Sequence, residues 1–211
     1  SMDYKETLSR VDQYMENIGR GKTKLEVMEK ILEEAENQII AARQIATDQS
    51  MGALETRQTA ADLVRNLYEQ LFSLSNSDFE NNYLFAGNGS DTAPFTLNPD
   101  DTVTYNGDDS DQKIIIGKNN HVKINSHGGE TFAGPDENIF EAVKLLMDGL
   151  ENADKAAGSQ QIEDSIARLT AAKVQINAAR TPNAGTYDRL ESSEDYWDKF
   201  KTGGEGQLSK V

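Results

Sequence analysis

The chain has 211 residues, with 36 acidic against 21 basic side chains, a net charge of -15 and no cysteine. Phosphate backbones and anionic membrane surfaces are bound by clustered lysine and arginine, which this chain lacks, so neither nucleic acid nor membrane is expected as a partner. Without thiols there is no disulfide framework, no thiolate zinc site and no cysteine nucleophile.

Leucine, isoleucine, valine and phenylalanine number 44. That is just above the level at which low hydrophobicity and high net charge predict disorder. Order has to come from the spacing of these residues, and a thin, elongated body suits the supply better than a globe. No apolar run approaches the roughly 20 residues of a membrane span, and no secretory signal peptide is visible at the start. Ser1-Met2 reads as a tag-cleavage remnant, so the natural N-terminus is expected to be missing.

The first element is the plainest. Tyr4, Thr7, Val11, Tyr14, Ile18, Gly21, Leu25, Met28, Leu32, Ala35, Ile39, Ala42 and Ala46 recur in steps of three and four. This is a heptad seam spoiled only by Thr7 and Gly21, and it predicts a helix about 64 Å long at 1.5 Å per residue. Gly19 and Gly21 mark a weak point where it is expected to bend or break. Thr47 to Ala53, with Asp48, Ser50 and Gly52, reads as a connecting loop. A second helix is predicted from about Leu54 to Asp78, with Ala60, Ala61, Val64, Leu67, Tyr68, Leu71 and Leu74 as its apolar stripe. The short loop makes the two helices antiparallel neighbours.

From Tyr83 the pattern changes. Thr102 to Tyr105, Gln112 to Ile116 and His121 to Asn125 are short and rich in β-branched residues, with Asn106-Gly107-Asp108-Asp109 and Lys118-Asn119-Asn120 between them as turns. A small antiparallel sheet over roughly residues 83–134 is predicted. The stretch Asn81 to Asn88, NNYLFAGN, is the crossing from bundle to sheet. Tyr83, Leu84 and Phe85 are suited to plug the apolar end of the bundle, and Gly87 and Gly89 to turn the backbone.

Helix resumes after Pro135, with Asp136 as the expected N-cap. Ile139, Val143, Leu146, Leu150 and Ala153 form its seam, and Gly158 its expected end. A fourth helix carries Ile162, Ile166, Leu169, Ala172, Ile176 and Ala179. Pro182 is expected to end or kink it. Tyr187, Leu190, Trp197 and Phe200 are loosely helical in spacing, and Gly203, Gly204 and Gly206 weaken the tail. The domain plan is thus a discontinuous helical bundle, 1–82 with 135–211, around a small β-domain, 83–134. The positions expected to hold the rod are Leu25, Met28, Leu32, Ile39, Val64, Leu71, Val143, Leu146, Ile166 and Ile176.

The search for chemistry finds little. His121 and His127 share a strand-compatible spacing of six, but a closed metal site needs more ligands than the region offers, and plain surface histidines are the simpler reading. Asp100, Asp101, Asp108, Asp109 and Asp111 raise the question of calcium. A twelve-residue loop starting at Asp109 puts Ile114 where an EF-hand needs glycine, and hairpin turns account for the aspartates. Gly87-Asn88-Gly89-Ser90 fits neither a phosphate loop nor a nucleophile elbow. No catalytic, cofactor-binding or metal residue is assigned, and an enzyme is not expected.

The segment NNYLFAGNGSDTAPF (Asn81 to Phe95) resembles the flagellar hook-associated protein 3 family where its second helix leads into the β-domain. The matching residues are Tyr83, Leu84, Phe85, Ala86, Gly87, Ser90, Asp91, Thr92, Pro94 and Phe95. Tyr105, Gly107, Asp108, Ile114, Ile116, Gly129 and Phe132 continue the likeness, and ENIFEAVKLLMDGL (Glu137 to Leu150) resembles the family's next helix. The resemblance implies a mainly α, elongated, flagellin-like bundle with an inserted small antiparallel β-domain. It also implies a non-enzymatic structural adaptor that joins the hook, through hook-associated protein 1, to the flagellin filament. Self-association in a ring, an export chaperone before secretion and an extracellular place in the bacterial flagellum go with it. The family's long terminal helices are not matched, so the chain as it stands is expected not to polymerise. Pro182 and the glycine-rich tail are departures. Flagellin itself, or another secreted coiled-coil protein of a type III system, is the alternative.

Overall fold

The computed structural model describes residues 2–208; Ser1, half of the expected remnant, lies outside them. Helix α1 (Met2–Gln49) runs without interruption. From Ile18 to Ala46 every seam position is buried. The helix does not break at its glycines, because Gly21 is a packing site. A Cβ there would lie 2.7 Å from Ile114 Cδ1 and 3.1 Å from Leu190 Cδ1, so the missing side chain lets two elements close onto α1.

A turn leads to α2 (Leu54–Ser75), which buries Ala60, Ala61, Val64, Tyr68 and Leu71. It stops three residues before the predicted Asp78. The cause is Asn76, whose amide nitrogen donates to Phe95 O and whose amide oxygen accepts from Phe95 N, each at 2.9 Å.

The β region is three separate two-stranded antiparallel pairs and not one sheet. They are β1 (Asp78–Phe79) with β2 (Asn82–Tyr83), β3 (Phe95–Leu97) with β4 (Val103–Tyr105), and β5 (Lys113–Gly117) with β6 (Asn120–Lys123). The β5–β6 pair lies on α1, and Phe95 of β3 packs into the bundle core beside α2. Strand β3 was not foreseen. It is only three residues long, and two of them, Thr96 and Leu97, are exposed. Gly128-Gly129 opens the short helix α3 (Gly128–Phe132), which lies within the stretch predicted as sheet.

Helix α4 (Ile139–Glu151) is capped by Asn138, whose side chain accepts from Glu141 N at 3.2 Å; Asp136 is not the cap. A bridge between Ala133 and Asn138 holds the intervening residues, Asp136 among them, outside the helix. Gly158 does not end α4, which stops at Glu151 and leaves Ala153 exposed. Asp154 accepts from Ala156 N and Ala157 N and starts α5 (Lys155–Leu208) there. Gly158 lies inside α5 because a Cβ would stand 2.6 Å from Gly149 O on α4.

Helix α5 carries Pro182 in its interior and continues through the glycine-rich tail. Proline removes a backbone donor and costs a solvated helix about 3 kcal/mol, so tertiary contacts must hold the segment. They do so on both sides of it. Arg180 pairs with Glu29 at 2.5 Å and with Glu36, and the buried Asn183 donates to Met28 Sδ at 3.3 Å. The two long helices are antiparallel: Thr170 meets Arg43, Asn177 meets Glu36, Tyr187 meets Glu26, Glu194 meets Lys22 and Lys201 meets Asp12.

Helices α1, α2, α4 and α5 form the bundle proper, in which α1 and α4 each touch all three of the others. Its core includes Leu32, Ile39, Val64, Leu71, Val143, Leu146 and Ile176, all fully buried. Ile166, placed in the same set, is half-buried at the margin. Phe85, Phe95, Phe132 and Phe140 close one end, with Phe132 edge-on to Phe85 at 5.0 Å and to Phe95 at 5.6 Å between ring centres. A second, smaller core lies further along the α1–α5 pair: Ile18, Leu25, Ile116, Val122, Ile124 and Leu190.

Candidate functional site

Three features present themselves for function: the crossing segment, the β5–β6 hairpin on the long helices, and the exposed apolar residues of the rod. The crossing begins at a two-residue turn between β1 and β2. Glu80 and Asn81 both have positive φ, 52° and 63°, as a tight hairpin matching strand twist requires. Leu84 and Phe85 then enter the bundle core, while Tyr83 stays half-buried. Phe85 O accepts from the Tyr105 hydroxyl at 3.0 Å.

At Gly87 the chain turns with φ +73° and presses against Asp108. The Asp108 carboxylate accepts from Ser110 N at 2.8 Å, Asn88 N at 3.1 Å and Gly89 N at 3.3 Å. Hydrogen bonding from the Ser110 side chain, followed by the amides of Ser110, Asn88 and Gly89, brings its pKa down to about 2. The Asp108 side chain thus ties the crossing to the loop after β4.

The hairpin β5–β6 clamps both long helices. Asn17 of α1 donates to Ile115 O, and Trp197 Nε1 of α5 donates to Ile116 O, each at 2.8 Å. Ile116, Val122 and Ile124 fill the second core beneath it. Trp197 also stacks near Tyr14, with ring centres 5.3 Å apart.

The candidate ligand residues do not converge. Asp100 accepts from the Thr102 amide and hydroxyl inside the β3–β4 turn. Asp101 pairs with Arg65 of α2 at 3.2 Å, and its backbone oxygen accepts from the Tyr68 hydroxyl. Burial pushes the Tyr68 phenol up, with the Asp101 charge adding to the effect. Asp108 holds the crossing. Asp111 pairs with Lys123 at 2.9 Å and with His127 Nε2 at 3.0 Å, and the bond from Lys123 lowers its carboxyl below the usual range. His121 is exposed on β6, paired in register with Ile115. Among the described residues no group of three or more His, Asp or Glu gathers as a metal site.

An open groove of about 820 Å³ lies beside Pro182, lined in part by His127, Gln175 and Val174. Gln175 spans its floor by donating to Thr131 O and Glu137 O, so the amide is engaged in structure. Several exposed apolar residues lie along the rod, among them Met51 and Leu54 at the α1–α2 turn, Leu63 on α2, and Val174 and Tyr196 on α5, while Leu97 and Ile115 are exposed on strands. No described helix is long and apolar enough to cross a membrane. Such an arrangement can present long side surfaces to neighbours.

The architecture is a discontinuous helical rod with two very long antiparallel helices and paired strands inserted between α2 and α4, and solved structures of flagellar proteins share it. A protein of Vibrio parahaemolyticus, provisionally assigned as flagellar hook-associated, superposes with a TM-score of 0.90 at 18% identity, covering 100% of this chain and 95% of the other. Flagellar hook-associated protein 3 of Legionella pneumophila superposes at 0.89 with 16% identity, covering 100% and 98%. FlgL of Xanthomonas campestris superposes at 0.87 with 15% identity, covering 98% and 100%. At these identities the likeness shows a shared fold. No protein-family model and no curated protein sequence matches the chain.

Proposed function

We propose that this chain is a structural component of the bacterial flagellum, of the hook-associated protein 3 type. The observation that supports this most is the superposition over 100% of this chain and 95% and 98% of the two others, strands and long helices together. In this reading the rod sits at the hook–filament junction, with hook-associated protein 1 beneath and flagellin above. Copies associate in a ring through the exposed faces of α2 and α5. An export chaperone covers the chain before secretion to the cell exterior. The division into a helical domain, 1–82 with 135–211, and a β-domain, 83–134, belongs to the same proposal, with the hairpin clamp on α1 and α5 as the join.

The test is deletion of the gene in its host. Hooks without filaments, restored by the intact gene, are expected; normal filaments on the deletion strain would overturn the reading.

A further inference from the structure

Among the described residues two cations are neither exposed nor ion-paired, Arg57 and Lys24. Arg57 is sealed in the bundle, donating to Lys155 O and to Ser159 Oγ. Lys24 is different, because it lines an open cleft. The cleft, of about 240 Å³, lies between α1, the β1–β2 turn and the start of β5. Arg20, Glu80 and Gln112 line it with Lys24.

The Lys24 ammonium donates to Gln112 Oε1, which uses one of its three N–H groups. No described carboxylate stands within 4 Å of it. The acid that faces the same cleft, Glu80, is taken by Arg20 at 2.6 Å. A partly desolvated ammonium with spare donors and no counter-charge is an unbalanced arrangement, and an incoming anion balances it. The cleft has room for a small acid or one acidic side chain.

We infer that this cleft is an anion site, in which Lys24, with the free edge of the Arg20 guanidinium, takes a single carboxylate group. The inference goes beyond the flagellar reading and does not depend on it. The carboxylate has two sources, a small free acid or an Asp or Glu side chain of a neighbouring copy. Desolvation holds the Lys24 ammonium at about 8, below the ordinary lysine value. A bound carboxylate would return the missing counter-charge and raise it.

Trace arylation of amines, read lysine by lysine by mass spectrometry over pH, measures this directly, with the exposed Lys30 as internal standard. In dilute protein and chloride, Lys24 is expected to titrate near 8. Succinate at matched ionic strength should raise that midpoint by about one unit, which is about tenfold slower labelling at neutral pH. If the group comes from a neighbouring copy, the same rise appears on concentrating the protein without succinate. E80Q, which frees Arg20, should make the succinate effect appear at lower concentration. Two results overturn the inference. One is a Lys24 midpoint indifferent to both succinate and protein concentration. The other is an ordinary lysine midpoint in chloride that falls in E80Q, which would make Glu80 the resident counter-charge.

Discussion

Gly87 turns with φ +73° directly against Asp108, and the Asp108 carboxylate in turn accepts the amides of Asn88 and Gly89 that follow it. The turn and its acceptor form one unit, joining the crossing to the loop after β4. An alanine at this left-handed position costs about 1 to 2 kcal/mol in the backbone alone, and its Cβ would have to displace Asp108. G87A should therefore lower the melting temperature by roughly 2 to 8 °C, at about 2 to 4 °C per kcal/mol for a chain of this size. An unchanged melting temperature would show that the turn relaxes freely.

The same pair sets a pH dependence. Asp108 has a folded pKa of about 2, below the usual carboxylate value near 3.8. A depressed folded value means that its contribution is present above the unfolded pKa and is lost as pH falls through 3.8 toward 2. The carboxylate is solvent-exposed, so the loss is local. Amide shifts of Asn88, Gly89 and Ser110, followed by NMR from pH 5 to 2, should move together with a midpoint near 2. D108N should abolish the titration, and a midpoint near 4 would show that these bonds do not persist in solution.

Much of the fold was legible because helix seams advertise themselves: Leu25 to Ala46 on α1, and Val64, Tyr68 and Leu71 on α2, are buried where their spacing puts them, with Leu67 half-buried beside them. The errors share a physical cause. Gly21, Gly158, Pro182 and Gly204 carry local signals that break helices, and in each case a partner across the bundle decides the outcome. Gly158 needs Gly149 O, and Pro182 needs the anchors at Arg180 and Asn183. Asp136 lost the cap to Asn138 because of a bridge formed with Ala133, a contact that no local pattern announces. The acidic residues of the loops were visible as turn formers. That Asp108 and Asp111 serve different partners depends on the register of β4 through β6, which their spacing alone does not reveal.

Leu32 and Leu71 are fully buried in the main core, on α1 and α2 respectively. Truncation to alanine removes their transfer energy and leaves a cavity in a thin body with little else to collapse into it. Each of L32A and L71A should cost about 2 to 5 kcal/mol in denaturant unfolding. A loss below about 1 kcal/mol at both sites would place the seam elsewhere.

The Glu137 side chain is only 7% exposed, and Arg168 of α5 binds it with N–O distances of 2.6 and 3.1 Å. Removing the arginine leaves a nearly buried carboxylate without its counter-charge. Breaking such a pair costs about 3 to 5 kcal/mol when both partners are buried. Arg168 is about a third exposed, so R168A should fall toward or below the lower end of that range. R168A with E137Q should recover part of the loss, and a double variant no better than the single would show that the pair contributes packing and not charge.

Pro182 offers the opposite sign. It is exposed on α5, and its ring removes the donor that Ala178 O would otherwise receive. The helix already continues through this position, so alanine there adds a backbone bond without asking the chain to change course. P182A should raise stability, by up to about 3 kcal/mol, the difference between proline and alanine in a helix interior, reduced by the greater freedom alanine allows the unfolded chain. The gain should vanish in the double variant P182A with N183A if the buried Asn183 contact to Met28 and Ser126 is what keeps the segment helical. Calorimetric melting of the three proteins decides it: a P182A variant less stable than the parent would mean that α5 is bent at Pro182 in solution and that the bend is part of its fit to α1.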